Sequence, residues 1–198
     1  AMNVVRALGI PVWPMVRNQA DDALATAAVR YADGVDQVVL CTSDKDCMQC
    51  VRDDRVVLLD RIRSVVTDEA AMRARFGVSP ASWPDWLALV GDPSDGLPGV
   101  PAWGARSASA ALARYEHLEA IPRDSSDWDI NIRGAGRLAQ SLRERWYEAL
   151  LMRDLSILHT NIPLPQALSD LVWNGPKADL QAFALQINAS EALEKLQG

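Results

Sequence analysis

The chain has 198 residues, 49% of them hydrophobic and 23% charged, with a formal net charge of −6. This balance excludes wholesale disorder, and 26 acidic against 20 basic residues excludes a simple polybasic nucleic-acid binder. Apolar stretches such as Ile10–Val16 contain two prolines and fall far short of the roughly eighteen residues a membrane span needs. No basic leader with an apolar segment opens the chain, which reads as cytoplasmic. Three cysteines (Cys41, Cys47, Cys50) cannot pair completely, so a disulfide framework is excluded.

Residues 2–8 read as a helix stopped by Gly9, and Ile10–Met15 as a strand. Ala20–Ala32 is an alanine-rich helix with Asp21 and Asp22 in its first turn. Gln37–Cys41 is a short apolar run of the buried parallel-strand kind, followed by a short helix at 46–51 and a strand at Val56–Asp60. Alternating strands and helices predict an α/β unit with a parallel sheet covered on both faces. Beyond residue 66 strand signals end. Helices are expected at 67–76, closed by Gly77; at 82–90, opened by a Ser82/Asp85 capping box; at 105–115; and as one long element from 134 to 152. Residues 121–131 read as a loop, and shorter helices at 178–186 and 189–196 complete the chain. The expected division is 1–66, 67–120 and 121–198.

Three acidic clusters fall at element junctions: Asp21-Asp22, Asp44-Lys45-Asp46, and Asp92 with Asp95. In a parallel sheet, ligands bind beyond the carboxyl ends of the strands, where the first two clusters project. Taken singly, an aspartate in a helix's first turn is a cap or a complement to the dipole, worth about 0.5–1 kcal/mol. Taken jointly, carboxylates converging on one crevice need a cation between them, and hard oxygen donors suit Mg²⁺ or Mn²⁺. Two such ions activate a water and stabilise the leaving oxygen of a phosphodiester. The run from Leu97 to Ser107 is a glycine-containing hairpin feeding a helix. Its backbone N–H groups, with Arg106 and Ser107, can hold phosphates without reading bases. The competing reading is a helix–turn–helix corner packed by Trp103. Trp103 is also the tryptophan expected to meet DNA, while Cys47 and Cys50 are expected to be buried, inert thiols. No Ser/His/Asp triad or nucleotide-binding P-loop is present.

The order Gln19-Ala20-Asp21-Asp22, then Thr42-Ser43-Asp44-Lys45-Asp46, then Gly91-Asp92-Pro93-Ser94-Asp95-Gly96-Leu97-Pro98-Gly99-Val100-Pro101-Ala102-Trp103-Gly104 resembles the bacterial 5′-nuclease family of flap endonucleases and 5′–3′ exonucleases. The resemblance covers most of residues 1–120 and, more loosely, the helical remainder. It implies a PIN-like α/β core, partial here, followed by a helix–three-turn–helix DNA-binding element around residues 82–115. It further implies hydrolysis of DNA phosphodiesters at 5′ flaps, nicks or free 5′ ends, with two divalent ions. By match, Asp21 and Asp22 hold one metal, and Asp44, Asp46, Asp92 and Asp95 serve mainly the second; Asp21, Asp22, Asp44 and Asp46 form the catalytic set. Gly99, Val100, Ala102, Gly104, Arg106 and Ser107 grip the duplex, in this family often around a K⁺. The sequence departs from the pattern at Gln19, where the family has Glu, and at Ala102, where it has Gly. The family's first aspartate strands and its arch would lie ahead of residue 1. Two functions of different class follow: a metal-dependent 5′ nuclease, or a DNA-binding module whose catalytic half is absent or supplied by another chain.

Overall fold

The computed structural model describes residues 2–189, so the expected helix at 189–196 lies outside the described residues apart from its first. The chain divides into two compact units, residues 20–162 and residues 1–19 with 163–198.

The larger unit begins with α1's successor in the chain, the helix α2 (Ala20–Tyr31); α1 itself (Met2–Ala7) belongs to the smaller unit. Alanines at 23, 25, 27 and 28, with Thr26 and Tyr31, bury α2 around most of its circumference. Three strands follow: β1 (Val38–Leu40), β2 (Val56–Asp60) and β3 (Val65–Thr67), in the order β1-β2-β3. Val38 pairs with Val56 in parallel register, as the apolar runs predict. The third strand is a correction: β3 runs antiparallel to β2, with Leu59 opposite Val66. A tight turn makes it possible. Asp60 Oδ1 accepts from the amides of Ile62 and Arg63 at 2.9 and 3.0 Å, and Ser64 adopts φ 54°. With Val65 and Val66 exposed, β3 lacks the apolar run of a buried strand and has no sequence signature of one.

Helix α3 (Glu69–Phe76) is capped by the Asp68 carboxylate on the Ala71 amide at 2.7 Å and closed by Gly77 at φ 74°. The expected capping box at Ser82 does not form. Ser79 caps a 3₁₀ turn at Pro80–Ser82 instead, and α4 (Trp83–Val90) continues from it. Asp85 is free of capping because it is buried, 2% exposed, in a charged network. It pairs with His117 Nδ1 at 2.8 Å and Arg153 at 3.5 Å, and accepts from the Leu118 amide at 3.4 Å. After α5 (Ala105–Tyr115), the single long helix expected at 134–152 is two: α6 (Ala135–Glu144) and α7 (Trp146–Ser156). Arg145 breaks them with φ −111° and ψ 22°, which redirects α7 against α4. The core joins these elements around Trp83, Leu87, Leu89, Leu112, Leu118 and Met152, with Trp83 stacked on Trp86 at 4.8 Å.

In the smaller unit, α1 meets α8 (Leu180–Gln186) through Ala7, Leu180 and Ala184. No strand forms at Ile10–Met15. Pro11 and Pro14 remove two ladder donors, and the Trp13 indole instead donates to Gln166 at 2.5 Å. Gly9, at φ 78°, passes so close to Gly175 that a Cβ would lie 2.2 Å from its carbonyl oxygen. Among the described residues no helix is long and apolar enough to cross a membrane.

Candidate active site and candidate nucleic-acid interface

The larger unit delivers the acids from three places: the first turn of α2, the segment after β1, and the loop after α4. After β1, the chain folds into a sequence of self-capping turns. Thr42 Oγ1 accepts from the Asp44 amide at 3.0 Å, and Asp44 Oδ1 accepts from the Asp46 amide at 2.9 Å. These bonds open the 3₁₀ helix Asp46–Cys50. Gln49 ties that helix down, donating to the Asp46 and Ser156 carbonyls at 2.9 and 2.8 Å and accepting from the Leu158 amide at 3.0 Å. After α4, Asp92 and Leu97 exchange two backbone hydrogen bonds of 2.9 Å, closing a small loop that carries Asp95.

The charges of these stretches act on one another. Asp46 is half-buried, and burial, then the charges of Asp44, Asp95, Asp92 and Asp21, push its pKa up to about 7. Asp21 is raised by burial and by Asp44, partly offset by the Cys47 thiol, which donates to its Oδ1 at 3.5 Å. Burial, Asp92 and Asp44 raise Asp95, while Lys45 pulls it down. Asp92 is the exception. Burial alone would raise it, but Lys45 Nζ at 2.5 Å on Oδ2 and the Ser94 amide and hydroxyl on Oδ1 hold it below the usual carboxylate range. The Asp46 Oδ1 atom is buried with no hydrogen-bond partner. A carboxylate in that state, among four others, is a donor set for a cation. Among the described residues, no three His, Cys, Asp or Glu side chains stand together in a metal-holding arrangement. The acids are near enough to repel and are not drawn in.

Asp22 behaves differently from the other five aspartates. It is 6% exposed, and its Oδ1 accepts from the His159 amide at 2.9 Å. Its charge still raises Asp21. One Asp22 carboxylate oxygen is thus engaged by the 156–162 segment, whereas Asp21 lies beside Cys47. Adjacent residues on a helix diverge by about 100°, so one faces the crevice and the other the 156–162 segment. Two groups escaped the sequence reading. Lys45, to which the sequence gives no role of its own, pairs with Asp92, and Cys47, expected to be an inert thiol, donates to Asp21. Being the sole lysine before residue 177 was the available signal for Lys45. Neither the cavity of about 160 Å³ lined by Ile121, Leu142 and Trp146 nor the groove of about 530 Å³ lined by Gln49, Arg73 and His117 includes any of the six aspartates. An open acidic surface suits a polymer better than an enclosed metabolite.

At the hairpin, Gly99 has φ 72°, and a Cβ there would stand 2.6 Å from the Val90 carbonyl, so the turn presses on the end of α4. Val100 is 3% exposed and its amide donates to Leu89 O at 2.9 Å. It anchors the hairpin and offers nothing outward, a correction to its place among the gripping residues. Trp103 is likewise corrected: it is 7% exposed, its indole donating to Leu138 O at 3.1 Å. Ser107 Oγ accepts from the Gly104 amide at 3.0 Å and caps its own helix. Pro101, Ala102 and Arg106 remain outward-facing, and Ala102 sits at φ 72°.

Residues 78–179 match the profile described as "5′-3′ exonuclease, C-terminal SAM fold", and residues 1–77 match "5′-3′ exonuclease, N-terminal resolvase-like domain". The 5′-3′ exonuclease of Streptomyces coelicolor is 34% identical over 204 residues, covering 98% of this chain and 64% of that protein. DNA polymerase I of Mycobacterium leprae is 33% identical over 172 residues, covering 85% of this chain. The chain spans only 18% of that polymerase's length. Among solved structures, the flap endonuclease of bacteriophage T5 in a pseudo-enzyme-product complex with DNA and metal ions superposes with a TM-score of 0.63. It is 18% identical and covers 76% of this chain and 53% of that one. The catalytic core of Rad2 in complex with DNA substrate gives 0.61 at 16% identity, covering 95% and 63%. These likenesses agree with the mixed α/β core and helical remainder described above, and the chain belongs to the 5′-3′ exonuclease family.

Proposed function

We propose that this protein is a divalent-metal-dependent 5′-3′ exonuclease or structure-specific flap endonuclease, hydrolysing DNA phosphodiesters near 5′ ends. The observation that carries the reading is the half-buried Asp46 carboxylate, whose Oδ1 has no hydrogen-bond partner and whose charge is opposed by Asp44, Asp95, Asp92 and Asp21 from three separate stretches of chain. These five would hold Mg²⁺ or Mn²⁺. When bound, such cations supply an activated water and neutralise charge developing on the leaving oxygen. Asp22, held through its Oδ1 by the His159 amide, adds a further negative charge beside Asp21 for the cation to offset. The chain's own contribution is positioning. Cys47 orients Asp21, the Asp46 amide fixes Asp44, and Ser94 fixes Asp92.

Residues 67–120 are assigned to DNA binding, residues 1–66 to the nuclease core and 121–198 to a helical extension. Gly99, Ala102, Gly104 and Arg106 present the hairpin to the phosphate backbone, with Val100 and Ser107 shaping it from within. Arg106 is the group there that carries positive charge outward. A K⁺ ion at the hairpin and a cytoplasmic setting complete the proposal. A labelled 5′-flap duplex incubated with the protein and Mn²⁺ tests the activity. Short 5′ products that vanish in chelator are expected; retained binding without cleavage would favour the DNA-binding module.

A further inference from the structure

The acidic crevice contains one base. Lys45 lies between Asp44 and Asp46 in sequence, yet its ammonium reaches to Asp92 Oδ2 at 2.5 Å. The two partners are unlike. Asp92 is 2% exposed, whereas the Lys45 side chain is 52% exposed. The other Asp92 oxygen is held by the Ser94 amide at 3.0 Å and by its hydroxyl. Both oxygens of the most buried acid in the cluster are thus satisfied, but by groups of different permanence. Ser94's amide is backbone in a closed loop, while Lys45 hangs on a flexible four-carbon stem with solvent alongside. An ion pair with one partner this exposed is weak, about 1 kcal/mol at most. Lys45 also acts on Asp95, so one positive charge serves two of the five acids. A ligand carrying two positive charges competes with it on favourable terms.

We propose that Lys45 is a resident counter-ion of the acidic crevice, holding Asp92 in the absence of divalent metal and giving it up when such a cation binds. In this role Lys45 is a positioning residue that sets the affinity of the site, and the inference rests on the metal-site reading above. A purely structural ion pair would stay in place throughout and would leave affinity alone.

Two measurements on the full chain decide it. In calorimetric titrations with Mn²⁺ at pH 8, Lys45→Met should bind on the order of fivefold more tightly than the parent, the equivalent of losing about 1 kcal/mol of competition. Lys45→Arg, which keeps the charge, should stay close to the parent. Independently of any variant, acylation of the Lys45 amine by a succinimidyl ester, read by peptide mass spectrometry, should accelerate when Mn²⁺ is added. Only three lysines occur in the sequence, so the modified peptide is unambiguous. If the parent binds Mn²⁺ but Lys45→Met binds no more tightly and acylation ignores the metal, the counter-ion role is overturned while the metal site stands. If the parent binds no Mn²⁺, the metal-site reading itself is overturned, and this inference with it.

Discussion

Replacing Asp46 by Asn removes the acid that the fold penalises most. Its pKa rises from an ordinary 3.8 to about 7, because burial and four neighbouring carboxylates oppose its charge. In the unfolded chain the group ionises near 3.8; in the folded protein it keeps its proton until about 7. Folding therefore bears no penalty from Asp46 below pH ~4, and the penalty grows as pH rises through that window and is complete above it. Three pH units would correspond to roughly 4 kcal/mol. Solvent reaches the half-buried side chain, and screening reduces this to about 1–2 kcal/mol. For a chain of this size the equivalent shift in melting temperature is roughly 2–8 °C. Melting followed by circular dichroism in chelator should show Asp46→Asn above the parent by this margin at pH 8 and level with it near pH 4. Saturating Mn²⁺ should invert the order, because only the parent regains a cation for that carboxylate. An Asn variant that melts lower than the parent in chelator at pH 8 would refute the repulsion argument, as would equal stabilisation of both proteins by Mn²⁺.

Other consequences are simpler to read. Ala102→Gly should raise stability by about 0.5–1 kcal/mol in urea denaturation, because alanine at φ 72° bears left-handed strain that glycine does not. Arg106→Ala should weaken binding to duplex DNA of any sequence and reduce the slope of log affinity against log salt by about one; a sequence-selective loss would argue against backbone gripping. Asp85→Ala should cost about 3 kcal/mol, since it strips His117, Arg153 and the Leu118 amide of a buried partner. Denaturation without that loss would show the network to be incidental.

The parts of the fold that were legible in sequence are those written by local chemistry. The Asp68 cap and Gly77 stop bracket α3, and the apolar runs at 38–40 and 56–58 pair in parallel as their composition demands. What stayed hidden depended on tertiary context. Strand β3 exposes Val65 and Val66 and is created by its turn; the break at Arg145 has no glycine or proline to announce it. Ser82 and Asp85 have the spacing of a cap, but Asp85 is buried and its carboxylate is claimed by His117 and Arg153. The site divides in the same way. Spacing placed Asp44, Asp46, Asp92 and Asp95 at junctions, from which the charges of the other three act on Asp46. Which of two adjacent aspartates faces the crevice depends on the roll of α2, and Asp22 is turned to His159. Likewise, Trp103 and Val100 belong to a hairpin that is exposed only at its tip.

Crystals grown with Mn²⁺ and measured at the manganese absorption edge test the central claim most directly. The account predicts an anomalous peak bounded by Asp21, Asp44, Asp46, Asp92 and Asp95, with Asp46 Oδ1 among its ligands. A peak elsewhere on the molecule, or a crevice with no peak at saturating Mn²⁺, would contradict it.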